Sequence, residues 1–143
     1  MGRINMIRNT SMIMFKDISG NMGHLTPIEA ELDVPFAIRR IYYITRVPQG
    51  TIRGFHSHRE LEQVLICLHG SVKIRLNTPY EEEIVDLNDP ALGLYIGPMI
   101  WREMFDFSDG AVLLVLASRH FTEEDYIRDL DVYVKEAMRY FDK

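Results

Sequence analysis

The residues best suited to chemistry in this sequence are two histidines. His56 and His58 stand in the run Gly50-x5-His56-x-His58-x4-Gln63-x6-Gly70. On a β-strand, residues two apart project from the same face, so both imidazoles point the same way. The flanks, Arg53-Gly54-Phe55 and the apolar stretch from Leu61 to Leu68, argue that this face is the inside of a barrel. Two inward imidazoles can do three things. They can form a hydrogen-bonded structural pair that satisfies its own polar atoms. They can ligate zinc, iron or manganese, each of which needs further ligands. They can also serve as acid and base, because imidazole titrates near pH ~6.5 and both takes and gives a proton at neutral pH.

The supply of further metal ligands is thin. Gln63 is a neutral, weak ligand, and the later segment Gly97 to Glu103 offers Arg102 and Glu103 rather than a third histidine. His69 falls at a turn and His120 near the start of a predicted helix. A two-histidine site completed by Glu103 is the one metal arrangement left. The acid–base reading is preferred, with no metal and no cofactor. Around the pair lie residues suited to a polar, anionic substrate. Arg40 and Arg53 are candidate charge clamps. Tyr42 shares a face with Arg40, whereas Tyr43 points the other way. Trp101 offers a flat surface for a base or sugar ring. Arg53 has the wrong parity for His56 unless Gly54 makes a bulge. Taken singly, an aromatic on a strand is usually core and an arginine usually surface.

These residues need strands to hold them. Met12 to Phe15, Leu25 to Ala30, Ala37 to Thr45, Thr51 to His58, Gln63 to Leu68 and Ser71 to Leu76 all read as strands. So do Ile84-Val85, Leu92 to Ile96, Ile100 to Phe107 and Ala111 to Ala117. Turn residues separate them: Ser19 to Gly23, Pro48 to Gly50, His69-Gly70, Gly97-Pro98 and Asp109-Gly110. Gly93 is read as a further break. Pro27 marks its strand as an edge. Gln63 to Leu68 is apolar at both parities, so both of its faces are expected to be covered. Ser71 to Leu76 alternates, with Val72, Ile74 and Leu76 on one face. Glu81 to Glu83 reads as a solvated hairpin face. After Thr122 the period changes. Tyr126, Ile127, Leu130, Val134, Ala137 and Tyr140 recur at helical spacing behind an N-cap and acidic first turn. The expected architecture is all-β, a barrel over about 12–118 closed by a C-terminal helix over about 122–141, with residues 1–143 as one domain.

Bulk properties agree with a globular domain of this size. A net charge of -5 implies no general affinity for nucleic acid. No apolar run is long enough to cross a bilayer, and Met1 to Asn5 lacks a signal-peptide core. Gly2 is followed by Met6 rather than the Ser or Thr of a myristoylation motif, and the crowded early methionines leave the start site ambiguous. The lone Cys67 sits among apolar residues and reads as core filler, in keeping with a reducing, cytoplasmic setting.

The histidine run resembles the first signature of cupin-type jelly-roll barrels, with Gln63 where metal-binding members carry Glu. A longer resemblance spans roughly residues 15 to 135. The segments Arg40 to Ile44, Arg53 to Arg59, Leu61 to Ser71, Leu92 to Trp101, Leu116 to Ser118 and Asp125 to Arg128 are similar to the WxcM-like sugar 3,4-ketoisomerases. That resemblance implies a metal-independent cupin acting on dTDP-4-keto-6-deoxyglucose, moving the keto group from C4 to C3 through an enediol. It implies products that feed deoxy- and amino-sugars of O-antigens and other surface glycans. It also implies a homodimer that exchanges N-terminal strands. His56 and His58 fall on the family's catalytic pair, with Arg40 and Tyr42 on its substrate positions and Tyr43 less secure. Gln63, Trp101 and Glu103 complete the expected substrate-binding set. Some members carry His where Arg102 stands, so Arg102 is given no catalytic part. Competing readings are a 3,5-epimerase on the same barrel, a non-catalytic sugar-nucleotide-binding cupin, and a metal-dependent dioxygenase.

Overall fold

Short runs rich in β-branched and aromatic residues, broken by Gly, Pro and Asp turns, fold as antiparallel strands. The computed structural model describes residues 6–142, and the readings made for Met1 to Asn5 lie outside them. In chain order the strands are β1 (Thr10–Met14), β2 (Ile18–Gly20), β3 (Gly23–Leu25), β4 (Arg40–Thr45), β5 (Arg53–His58) and β6 (Gln63–His69). Then come β7 (Val72–Asn77), β8 (Glu82–Leu87), β9 (Leu92–Ile96), β10 (Trp101–Phe105), β11 (Val112–Ala117) and β12 (Tyr126–Ile127). Helix α1 (Leu130–Phe141) closes the chain.

One sheet has the order β1-β9-β6-β11-β4 and the other β12-β5-β10-β7-β8. Their inner faces enclose the main core. Leu65, Cys67, Leu94, Ile96, Leu113 and Val115 come from the first sheet, and Val72, Ile74, Leu76 and Met104 from the second. Burying side chains of this size contributes ~1.5–3 kcal/mol each. The result is an all-β jelly-roll barrel with one C-terminal helix. β6 is covered on both faces, as its unbroken apolar run requires. Its outward residues Val64 and Ile66 pack with Phe15, Val34, Phe36 and Leu116. On the far side, α1 lays Tyr133 and Ala137 over Trp101, Met99 and Ile127.

Three expectations change. The helix does not start behind Thr122. Glu123–Asp125 forms a 3-10 turn, and the Thr122 side chain makes no capping bond. Tyr126 and Ile127, an aromatic and a β-branched residue, then pair with His58 and Ser57 as a strand. The true N-cap is Asp129, whose carboxylate accepts from the Val132 amide at 3.0 Å. The second strand is also displaced: Ile18–Gly20 and Gly23–Leu25 form a two-stranded hairpin. Pairing ends before Pro27, which has no N–H to donate. Finally, Gly93 is mid-strand. It pairs with Ile13 and Ile66, and an added Cβ would lie 2.6 Å from the Phe15 ring. The small residue serves packing, not a turn.

Candidate active site

The site begins with a bulge. β10 sets Arg102 opposite His56 but Glu103 opposite Gly54, so Phe55 has no partner across the ladder. Gly54 and Phe55 take φ of +99° and +58°. A Cβ on Gly54 would stand 2.8 Å from the Arg102 carbonyl oxygen, so only glycine fits this close approach. The bulge fixes the aim of both histidines. Their rings meet edge-to-face at 4.9 Å. Tyr126, delivered by β12, lies 4.3 Å from the His58 ring and 5.0 Å from the His56 ring.

Beside the pair runs a chain of donors. Arg102 is 1% exposed. Its Nη1 donates to Gln63 Oε1 at 2.7 Å, and its Nε and Nη2 donate to the Ile100 carbonyl at 3.1 Å. Gln63 Nε2 donates in turn to the Tyr42 hydroxyl at 3.1 Å. With its oxygen accepting from Gln63, the Tyr42 hydroxyl keeps its own proton to give elsewhere. The Arg40 guanidinium stacks on the Tyr42 ring at 4.6 Å and on Phe121 at 5.3 Å. Arg128 stacks on Tyr126 at 4.1 Å and pairs with Glu123 at 2.6 Å. Aromatic rings and guanidinium groups thus stand together around the imidazoles.

These surroundings set the charge states. Burial, reinforced by the Arg102 charge, pushes His56 down to about 3. The same two causes, then His56 itself, depress His58 still further. Both imidazoles are therefore neutral at neutral pH. Burial lowers Arg102 to about 10, which leaves it cationic. Burial also raises the Tyr42 phenol, against a smaller opposing effect of the Gln63 hydrogen bond, so Tyr42 stays protonated. Asp125 Oδ2 lies 3.3 Å from His58 Nδ1, yet neither His58 nitrogen has a hydrogen-bond partner. The contact is close but unaligned, and with the ring neutral it is not an ion pair.

The expected site residues divide. His56, His58, Gln63, Tyr42 and Arg40 come together. Arg53 is returned by the bulge to the face that carries His56, opposite Met104, and is exposed at the start of β5. Tyr43 is on the outer face, 69% exposed. Trp101 and Glu103 are also outside, because the inward positions of β10 are Arg102 and Met104. Trp101 packs against Tyr133 under α1, and Glu103 takes the Trp101 indole N–H and an Arg75 guanidinium N–H, both at 3.2 Å. A flat surface from Trp101 and a ligand from Glu103 are therefore not available to the histidines. Among the described residues, no group of three or more His, Cys, Asp or Glu side chains is placed to hold a metal.

Four residues near the pair were not singled out from the sequence. Arg102 alternates with the apolar Ile100 and Met104, but Trp101 and Phe105 fill the other parity, so the residue pattern alone does not mark it as inward. Asp125, Tyr126 and Arg128 were read as helix. The Tyr126-Ile127 pair just ahead of the Asp129 cap was the available sign of a strand. A hollow of about 590 Å³ between Phe36, Arg39, Glu62 and His120 is lined by neither His56 nor His58. Its Arg119 is already paired with Glu60 at 2.7 Å.

The family model described as FdtA, WxcM-like C-terminal, matches residues 8–138. The chain belongs to this family. It is 45% identical over 124 residues to the TDP-4-oxo-6-deoxy-alpha-D-glucose-3,4-oxoisomerase of Aneurinibacillus thermoaerophilus, covering 87% of this chain and 89% of that one. Among solved structures it is similar to the 3,4-ketoisomerase QdtA of Thermoanaerobacterium thermosaccharolyticum. The match has 59% identity and a TM-score of 0.94, and covers 96% of this chain and all of that one. That structure is a histidine-to-asparagine variant in complex with TDP-4-keto-6-deoxyglucose. The RmlC epimerase of Mycobacterium tuberculosis shares the fold at 14% identity and a TM-score of 0.72, over 87% of this chain and 70% of that one.

Proposed function

We propose that the protein is a sugar-nucleotide 3,4-ketoisomerase that converts dTDP-4-keto-6-deoxyglucose to the 3-keto-6-deoxyhexose by proton transfer alone. The observation that carries this is two neutral, buried imidazoles 4.9 Å apart beside a buried guanidinium. Neutral imidazole accepts a proton, whereas imidazolium cannot. The C3 hydrogen of the substrate is acidified by the C4 ketone next to it. One histidine removes that proton and its electron pair forms the C3–C4 double bond, placing negative charge on the C4 oxygen. The C4 oxygen takes up a proton as the C3 hydroxyl gives its own up, and protonation of the enediolate at C4 then leaves the ketone at C3 and a hydroxyl at C4. Carbon 3 is oxidised as carbon 4 is reduced, so atoms and electrons balance with no outside redox partner. The Arg102 charge favours the anionic intermediate, and the free Tyr42 proton is a donor to its oxygen. Arg40, Phe121, Tyr126 and Arg128 supply rings and charge for the nucleotide and its diphosphate.

A divalent ion between the rings would face the Arg102 cation, with Gln63 already engaged on both sides. This disfavours a metal-dependent oxygenase on electrostatic grounds. We read the chain as one cupin domain that works as a cytoplasmic homodimer and supplies deoxysugars for surface glycans. The dimer is supported by the β2–β3 hairpin, which turns Ile18, Met22 and Leu25 out to solvent. Incubation with dTDP-4-keto-6-deoxyglucose in D2O, followed by NMR, tests the activity. A 3-keto product with deuterium at C4 supports it. Unchanged sugar despite binding, or deuterium at C5 as an epimerase would give, overturns it.

A further inference from the structure

We propose that Asp125 is a positioning residue for His58: its carboxylate accepts a hydrogen bond from Nδ1–H, fixes that tautomer, and leaves Nε2 as the nitrogen that accepts a proton from substrate. Four observations lead there. Oδ2 lies 3.3 Å from Nδ1, and the two side chains are 6% and 1% exposed. The carboxylate is held from behind, with Oδ1 accepting from the Glu60 amide at 2.8 Å and Oδ2 from the Leu61 amide at 3.2 Å. Each oxygen retains a lone pair, and the ring is the neighbour that can use one. The backbone clamps the two residues together. The Arg59 amide donates to the Asp125 carbonyl at 2.9 Å, and the next residue, Tyr126, pairs with His58 across the ladder. Finally, both His58 nitrogens are buried without a partner. A polar ring is not left wholly unsatisfied without cost.

The unaligned angle fits a resting site. Catalytic hydrogen bonds are often loose before substrate binds and tighten afterwards. The surroundings also call for an anion. Arg102 on β10, His56 on β5, Arg40 on β4 and Arg128 after β12 all oppose a positive charge on His58. Asp125 is the carboxylate in contact with the ring, so it stabilises the imidazolium that forms once the proton is taken.

This inference deepens the isomerase reading and rests on it for the identity of the substrate, but its first readout needs no substrate. Long-range 1H–15N NMR of the 15N-labelled protein reports the His58 tautomer directly. The expected result is Nδ1–H with an unprotonated Nε2. Asp125→Asn, which presents an amide in place of Oδ2, is expected to shift the ring toward Nε2–H. In the same variant kcat should fall roughly 10- to 1,000-fold, with KM for the TDP-sugar within about threefold. Wild-type His58 in the Nε2–H form would overturn the proposal, and so would an Asp125→Asn enzyme with unchanged tautomer and kcat. If the variant fails to fold, the wild-type tautomer alone decides. Inactivity of the wild-type enzyme on the sugar would count against the isomerase reading and leave the tautomer result standing.

Discussion

Along β6 the inner face passes from Gln63 to Leu65 and Cys67; along β10 it passes from Arg102 to Met104, and along β4 from Arg40 and Tyr42 to Ile44. The change comes at one level on three strands of two sheets. One end of the barrel interior is a packed hydrocarbon core. The other holds a guanidinium, an amide, a phenol and two imidazoles. Hydrocarbon burial yields stability. Burying polar groups and a charge costs stability unless each is bonded, and replacing a buried charge by a hydrocarbon of similar volume is often neutral or stabilising. The two ends are therefore expected to respond to substitution in opposite ways: one loses stability and keeps its activity, and the other does the reverse.

The largest effect belongs to the histidines. His56→Asn or His58→Asn is expected to lower kcat by roughly 100- to 10,000-fold, while thermal unfolding shifts by only a few degrees. Product NMR and a melting curve on the same sample check both halves. Arg102→Met comes next. We expect a roughly 10- to 1,000-fold lower kcat with stability held or raised, and a His56 that titrates closer to the ordinary histidine range. A collapsed melting temperature would instead make Arg102 part of the scaffold. At the apolar end, Leu65→Ala or Ile74→Ala is expected to cost about 2–5 kcal/mol in denaturant titration, with kcat within about twofold where the protein is folded.

Acid sharpens the same contrast. Both imidazoles bind a proton less readily in the folded state than in the unfolded one. Above the unfolded value near 6.5 they leave the folding equilibrium unchanged. As pH falls below it, the unfolded chain takes up protons that the folded chain refuses, so stability drops. For His56 the loss runs until its folded value of about 3 is reached. The slope reaches up to ~1.4 kcal/mol per pH unit for each histidine. The double variant His56→Asn/His58→Asn should show a visibly flatter acid limb. The smallest effect is Tyr43→Ala: with its side chain outside the barrel, KM and kcat of a single active site should hold within about twofold.

The barrel was legible because alternation is local: Val72, Ile74 and Leu76 declare an inner face without reference to anything distant. The histidine pair was legible for the same reason, since residues two apart on a strand share a side. Arg53 was placed by a bulge that the glycine only hinted at. Trp101 is assigned to the site from residue type, and Arg102 is given no part because some relatives carry His there; the structure sets Trp101 outside the barrel and Arg102 inside it. Which of the two neighbours points inward depends on the register of β10 against β5 and β7, which no local pattern on β10 states. Tyr126 and Ile127 fit a helical spacing as well as a strand. Pairing with His58 and Ser57, far away in sequence, decided between them.

The central claim is that two imidazoles, kept neutral by burial and by Arg102, share one pocket. Titration of the 15N-labelled protein by NMR from pH 8 down to 4.5 tests it most directly. The account predicts that His56 and His58 stay uncharged across that whole range. Protonation of either ring of the pair near pH ~6.5 would contradict it.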